Sequence, residues 1–167
     1  MFGKIKSWLA GKHEAPVAPD GYRTFFFGGL SVDLPANWLM TAYNNEGRWI
    51  AKSPVRKIQI TISVVYFTPG TVEENCDFFA RLVVQKTQTE MSLAADAVVT
   101  RPDILGDGRT LVAQYEGRQG SVRQFACKMV MRQGAVAIAD VEASAEDQAW
   151  LNDVSEVVFA SLASQNN

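Results

Sequence analysis

Over residues 57–67 the chain alternates, with Ile58, Ile60, Ile62 and Val64 separated by Gln59, Thr61 and Ser63. Successive side chains of a strand point to opposite faces, so this period of two predicts a strand with one buried and one wetter face. Thr68-Pro69-Gly70 ends the strand. Thr71-Val72-Glu73-Glu74 then reads as a capping box, in which the Thr71 hydroxyl and the Glu74 carboxylate each satisfy a backbone N–H at a helix start. Val72, Cys76, Phe79 and Val83 follow at helical spacing, with Ala80 widening the stripe, and the helix is expected to run to about Gln88 or Met91. A helix with such a stripe packs on a sheet.

Before this unit the pattern is all strand and turn. Residues 22–27, YRTFFF, form a candidate first strand, and Gly28-Gly29 turns it into residues 30–38, LSVDLPANW. There Leu30, Val32 and Leu34 face one way, Pro35 breaks the strand and Trp38 seals it. Residues 44–47, NNEG, are a turn signal, which makes a hairpin of residues 39–43 and 48–52 carrying Trp49 and Ile50. Ser53-Pro54 stops its second strand.

After the helix, residues 92–97 read as a connection and residues 98–105 as one strand that Pro102 confines to an edge or a bulge. An antiparallel meander follows over residues 110–116, 122–131 and 135–143, with turns at 117–120 and 132–134. Phe125, Cys127, Met129 and Met131 share one face of its middle strand. Ala137, Ala139, Val141 and Ala143 share one face of the next, and their small size lets a helix approach closely. Ser144 is expected to cap that closing helix with Asp147 in its first turn, and Trp150, Val154, Val157, Val158 and Ser161 to form its stripe, flanked by Leu151 and Leu162.

The ends divide from this pattern. Residues 1–21 read as an amphipathic tail, with Phe2, Ile5, Trp8 and Leu9 beside Lys4, Lys6 and Lys12, joined by the linker HEAPVAPD. The tail reads either as an interfacial anchor or docking peptide, or as a segment packed on its own domain. Membrane attachment through residues 1–12 is the less favoured reading, because so short a helix has little apolar area. Residues 22–164 form one expected domain, and residues 165–167 a frayed end.

At 167 residues the chain falls in the range of one domain, and 47% hydrophobic against 20% charged residues excludes a wholly disordered chain. A net charge of -2 gives no global attraction to nucleic acid. No apolar run reaches the length of a signal-peptide core or a membrane span, so the expected location is cytoplasmic. Cys76 and Cys127 each fall in an apolar register and are expected to be buried thiols, with a disulfide between them left open.

Strands, a helix, a long meander and a closing helix make an α+β sandwich, an antiparallel β-sheet flanked by helices. With residues 27–38, FGGLSVDLPANW, as its opening, the chain resembles the PsbP-like fold family. That family takes in the photosystem subunit PsbP, a Ran-binding import factor, DcrB-type proteins and type VI secretion adaptors. The Thr71-x-x-Glu74 helix, the three-stranded run and the final helix with Phe159 and Leu162 agree with it in order. The resemblance covers about residues 22–164 and implies an α-β-α sandwich that holds partner proteins rather than performing chemistry. It supplies no catalytic residue.

The residues themselves agree. His13, the one histidine, sits in the linker, so no histidine-based triad or histidine-rich metal site assembles. Asp103 and Asp107 lie around a Gly-Asp-Gly turn without the order of a calcium loop. No Walker loop or dinucleotide fingerprint is present, and neither cofactor nor metal is expected. The expectation is a non-enzymatic protein-binding module, of the adaptor, chaperone or immunity type, with partner and oligomeric state left open. Candidate contacts are Arg109, Arg118, Arg123, Lys128 and Arg132 around the meander, with Tyr43 and Trp49 from the hairpin. Charged strand edges that block sheet-to-sheet pairing are the competing reading of those cations, and packing that of the aromatics. The alternative function is a small-ligand pocket, enzymatic or not, lined by aromatics.

Overall fold

The computed structural model describes residues 18–27, 30–93 and 95–164 of the protein. The expected tail as far as residue 17, the Gly28-Gly29 turn and residues 165–167 lie outside the described residues. In chain order the elements are β1 (Tyr22–Phe27), β2 (Leu30–Pro35), β3 (Leu39–Tyr43), β4 (Arg48–Lys52) and β5 (Ile58–Tyr66), followed by α1 (Val72–Ser92). Then come β6 (Ala97–Val99), β7 (Asp103–Gly106), β8 (Thr110–Gln119), β9 (Arg123–Arg132), β10 (Ala135–Ala143), α2 (Gln148–Ser161) and β11 (Ala163–Ser164). An eight-stranded sheet runs β3-β4-β5-β10-β9-β8-β6 with β7 also on β8, and a three-stranded sheet runs β1-β2-β11. Every pairing is antiparallel.

The central strands are apolar on both faces, and their parity sorts the core into two layers. Ile58, Ile60, Ile62 and Val64 of β5 join Ala137, Ala139, Val141 and Ala143 of β10 in a cluster completed by Val32 and Leu34 of β2 and by Leu151, Val154, Val158 and Phe159 of α2. On the other face Val136 and Ile138 of β10, Phe125, Cys127, Met129 and Met131 of β9, and Leu111, Ala113 and Tyr115 of β8 meet Phe79 and Val83 of α1. The result is an α-β-α sandwich, with α1 on one side of the large sheet and α2 with the small sheet on the other.

Local chemistry fixes both helices. Thr71 and Glu74 make the reciprocal capping box, with Thr71 N–H donating to Glu74 Oε2 at 2.7 Å and Glu74 N–H to Thr71 Oγ1 at 3.2 Å. β2 is tied to α2 by its backbone, as Asp33 N–H donates to Ser161 Oγ at 2.8 Å, while Asp33 Oδ1 accepts the Thr24 hydroxyl at 2.6 Å. β9 is tied to the same helix by Lys128, whose ammonium donates to the carbonyl of Phe159.

The structure departs from the sequence pattern in three places. The strand over residues 98–105 is two short strands, β6 and β7, split around Pro102, which has no N–H for a ladder. The Ser144 hydroxyl accepts no cap hydrogen bond and donates instead to Asp147 Oδ2 at 3.4 Å: residues Ala145–Asp147 form a 3₁₀ turn and α2 starts at Gln148, with the Asp147 carboxylate accepting Lys57 N–H at 3.3 Å and pairing with Arg56 at 3.1 Å. Val72 and Trp150 stay 52% and 46% exposed, and the Trp150 ring instead carries the Arg56 guanidinium 4.3 Å above it. At the end of the expected domain, Ser164 pairs with Leu30 in the small sheet.

Two predictions follow from the layers. Phe79 is fully buried against β8 and β9, so Phe79→Ala should cost about 3–5 kcal/mol, read as a lower urea midpoint. Burial, with repulsion from Arg132, lowers the Lys128 ammonium to about 8. Unfolded lysine titrates near 10.4, so between about pH 8 and that value the unfolded chain binds more protons and this group makes stability rise with pH. Comparing unfolding free energies at about pH 8 and about pH 10, the wild type should gain stability relative to Lys128→Met.

Candidate functional site: an open sheet face and a basic cleft

α1 covers only part of its side of the large sheet, packing against β6 and β8. Beyond it, β3 and β4 present Leu39, Thr41, Tyr43, Arg48, Ile50 and Lys52 to that side, because these residues alternate with Met40, Trp49 and Ala51, which pack into the α2 layer. Leu39 is 68% and Tyr43 40% exposed there. The Arg48 guanidinium sits 4.9 Å over the Tyr43 ring and pairs with Glu46 at 2.7 Å.

A chain of charges marks the edge of the helix footprint. Lys86 of α1 pairs with Asp140 of β10 at 2.9 Å and with Glu90, one turn on, at 3.6 Å. Glu90, itself buried, pairs with Arg123 of β9 at 2.9 Å, and Arg123 reaches Glu142 of β10 at 2.7 Å. Burial would lower both cations, but Asp140 and Glu90 hold the Lys86 ammonium above its ordinary value, and Glu90 and Glu142 do the same for the Arg123 guanidinium. Burial pushes the Asp140 carboxyl up, against the pull of Lys86.

The register puts Tyr115, Cys127, Asp140 and Thr61 in one row across β8, β9, β10 and β5. That row looks like chemistry, but Cys127 is fully buried and its thiol is pushed well up by burial and by Asp140. Burial and Cys127 likewise raise the Tyr115 phenol. A protonated, inaccessible thiol is a packing group and not a nucleophile. Cys76 is half-buried on α1, and the two cysteines are free. The Asp107 carboxylate is occupied by the backbone N–H groups of Arg109 and Thr110 at 2.9 and 3.0 Å, which lower its pKa.

The cations singled out in the sequence do not share one surface. Arg123 points to the α1 side of β9, whereas Lys128 and Arg132, at even positions of the same strand, point to the α2 side. Arg118 is exposed on β8 with the even-numbered set, and Arg109 is exposed in the turn before it. Tyr43 and Trp49 lie on opposite faces of their hairpin. The Trp49 indole packs on the α2-side core, 4.9 Å from the Phe27 ring, and its N–H donates to Asn44 Oδ1 at 3.1 Å.

Arg123 belongs instead to a cleft of about 320 Å³ at the end of the sheet where β4, β5, β9 and β10 meet. Lys52, Arg56, Lys57 and Arg123 line it with one carboxylate, Glu142, and Val122 stands at its rim. Three of those cations escaped the sequence reading, although Lys52, Arg56 and Lys57 fall within six consecutive positions. That cluster is the available signal, masked by the Ser53-Pro54 strand end that falls in its middle. The aromatic pair Tyr43 and Trp49 does not line this cleft.

No family model matches the sequence, and no curated protein matches it. Among solved structures, cyanobacterial PsbP (CyanoP) from Synechocystis sp. PCC 6803 is similar with a TM-score of 0.64 at 11% identity, over 92% of this chain and 98% of that chain. The Ran-binding protein Mog1p from Saccharomyces cerevisiae is similar with a TM-score of 0.50 at 6% identity, over 86% of this chain and 95% of that chain. No helix among the described residues is long and apolar enough to cross a membrane. At such identities the likeness speaks to architecture, and with the layers and strand order above it shows that the chain has the PsbP-like α+β fold.

Proposed function

We propose that this chain is a non-enzymatic protein-binding module that engages its partner with the open half of the large sheet. The observation that carries the reading is the uncovered face of β3 and β4, where Leu39, Ile50 and Tyr43 form an apolar centre and Arg48, Lys52 and Thr41 a polar surround. An apolar centre with aromatic and arginine anchors inside a polar rim is the anatomy of a protein interface. The fold neighbour described as Ran-binding supports the same class of role. The charged groups best placed for chemistry are spent on one another, as Lys86, Asp140, Glu90, Arg123 and Glu142 pair in sequence across the α1 edge.

The open strand also sits at the sheet's edge, since β3 pairs on one side with β4. It carries no charged residue in Leu39–Tyr43, and the protection that edge strands draw from lysine or proline is missing within it. A partner lying over this face therefore covers both exposed side chains and an edge. The reading places the protein as an adaptor or chaperone acting in the cytoplasm, and it assigns the interface to the hairpin in place of the meander cations.

Affinity capture from the native host with the full chain as bait should recover a stoichiometric protein partner. Leu39→Asp with Tyr43→Ala should lower its recovery at least tenfold while changing the unfolding free energy by no more than exposed substitutions do, about 0.5 kcal/mol. Recovery of no stoichiometric partner by the wild type, or equal recovery by the variant, would overturn the reading.

A further inference from the structure

The cleft at the end of the sheet has its own chemistry. Four basic side chains, Lys52, Arg56, Lys57 and Arg123, face one lining carboxylate, Glu142, in a chain whose net charge is -2. Two of the four are already engaged: Arg56 with Asp147 at 3.1 Å and over Trp150, and Arg123 with Glu90 and Glu142. Among the described residues Lys52 and Lys57 have no carboxylate partner. Two lysines without a carboxylate partner, side by side in a cleft whose arginines are already paired, point to an anionic ligand.

The backbone narrows which anion. Val55 and Arg56 N–H groups donate to Ser53 Oγ at 3.3 and 3.1 Å, and Lys57 N–H donates to Asp147. These amides are therefore turned inward and form no nest around a phosphate, the arrangement on which tight phosphate sites rely. Recognition falls to the long, adaptable ammonium groups and to arginines that already exchange carboxylates with the protein. Val122, 76% exposed at the rim, adds an apolar contact beside the charges. A phosphodiester backbone would need a basic track along the surface, and the neighbouring cations Lys128 and Arg132 lie on the other side of the sheet.

We infer that the cleft binds an acidic peptide segment of a protein partner, carboxylates meeting Lys52 and Lys57 and an apolar side chain resting on Val122. The inference rests on the protein-binding reading and names a second contact for it, on the same side of the sheet as the open hairpin face through Lys52, which belongs to both.

The test is fluorescence anisotropy with a labelled peptide in which glutamates alternate with leucines, titrated with the full chain. Binding should be saturable, weaken with added salt, and fall roughly tenfold in Lys52→Glu with Lys57→Glu, both surface changes, while Arg109→Glu, exposed at the opposite end of β8 from the strand end that faces Arg123, leaves it unchanged. A serine-only peptide should not bind, and inorganic phosphate should compete no better than chloride at equal ionic strength. Absence of peptide binding, equal loss in Arg109→Glu, or preferential competition by phosphate would overturn the inference. Partner capture from the host by a Lys52→Glu, Lys57→Glu chain at wild-type level would also overturn it and leave the protein-binding reading standing.

Discussion

The centre of the large sheet is apolar on both faces, and the rest of the molecule answers that constraint. β9 and β10 are apolar on both sides, so each side must be roofed over. One roof is α2 with the small sheet, admitted by the alanines of β10. The other is α1, and a single helix is too narrow for so many strands. Where its shadow ends, the sheet changes character within one strand: Val136 and Ile138 under the helix give way to Asp140 and Glu142, whose charges are answered by Lys86 and Arg123. The ion-pair chain is thus the seam between dry and wet halves of one surface. Several of its members are largely buried, so its value lies in fixing where α1 docks rather than in net stability.

Much of this architecture is legible in the chain because strand parity is a strong signal. The alternation at Ile58, Ile60, Ile62 and Val64, the NNEG turn and the Thr71–Glu74 box each specify an element through neighbours in sequence, and each element formed where those neighbours placed it. What stayed hidden depends on residues far away. Ser144 has the right chemistry for a cap, but Asp147 is drawn to Arg56 and Lys57, some ninety positions earlier. Trp150 looks like core by its hydrophobicity, and an arginine from another element makes a surface position comfortable for it.

The cations illustrate the same divide. Parity alone separates Arg123 from Lys128 and Arg132, since an odd spacing within a strand puts side chains on opposite faces. Their partners, Glu90, Glu142 and the Phe159 carbonyl, come from three different elements and no local pattern announces them. The cleft gathers Lys52, Arg56 and Lys57, which are close in sequence, with Arg123, which is not. A surface made from one local run and one distant strand is half readable.

The link between β2 and the end of α2 bears on how the molecule is made. Asp33 N–H and Ser161 Oγ are 128 residues apart, and β11 pairs with β2 only when Ala163 and Ser164 are in hand. The sheet begun by β1 and β2 is therefore finished only by residues that follow α2 in the chain. Until α2 has been made, Val32 and Leu34 have no helix to cover them, and the nascent chain carries an exposed apolar strand. Contacts this non-local also slow folding, because loop closure must be met before they form. The cover of β2 is thus the part of the fold that forms only once the chain is long enough to close on itself.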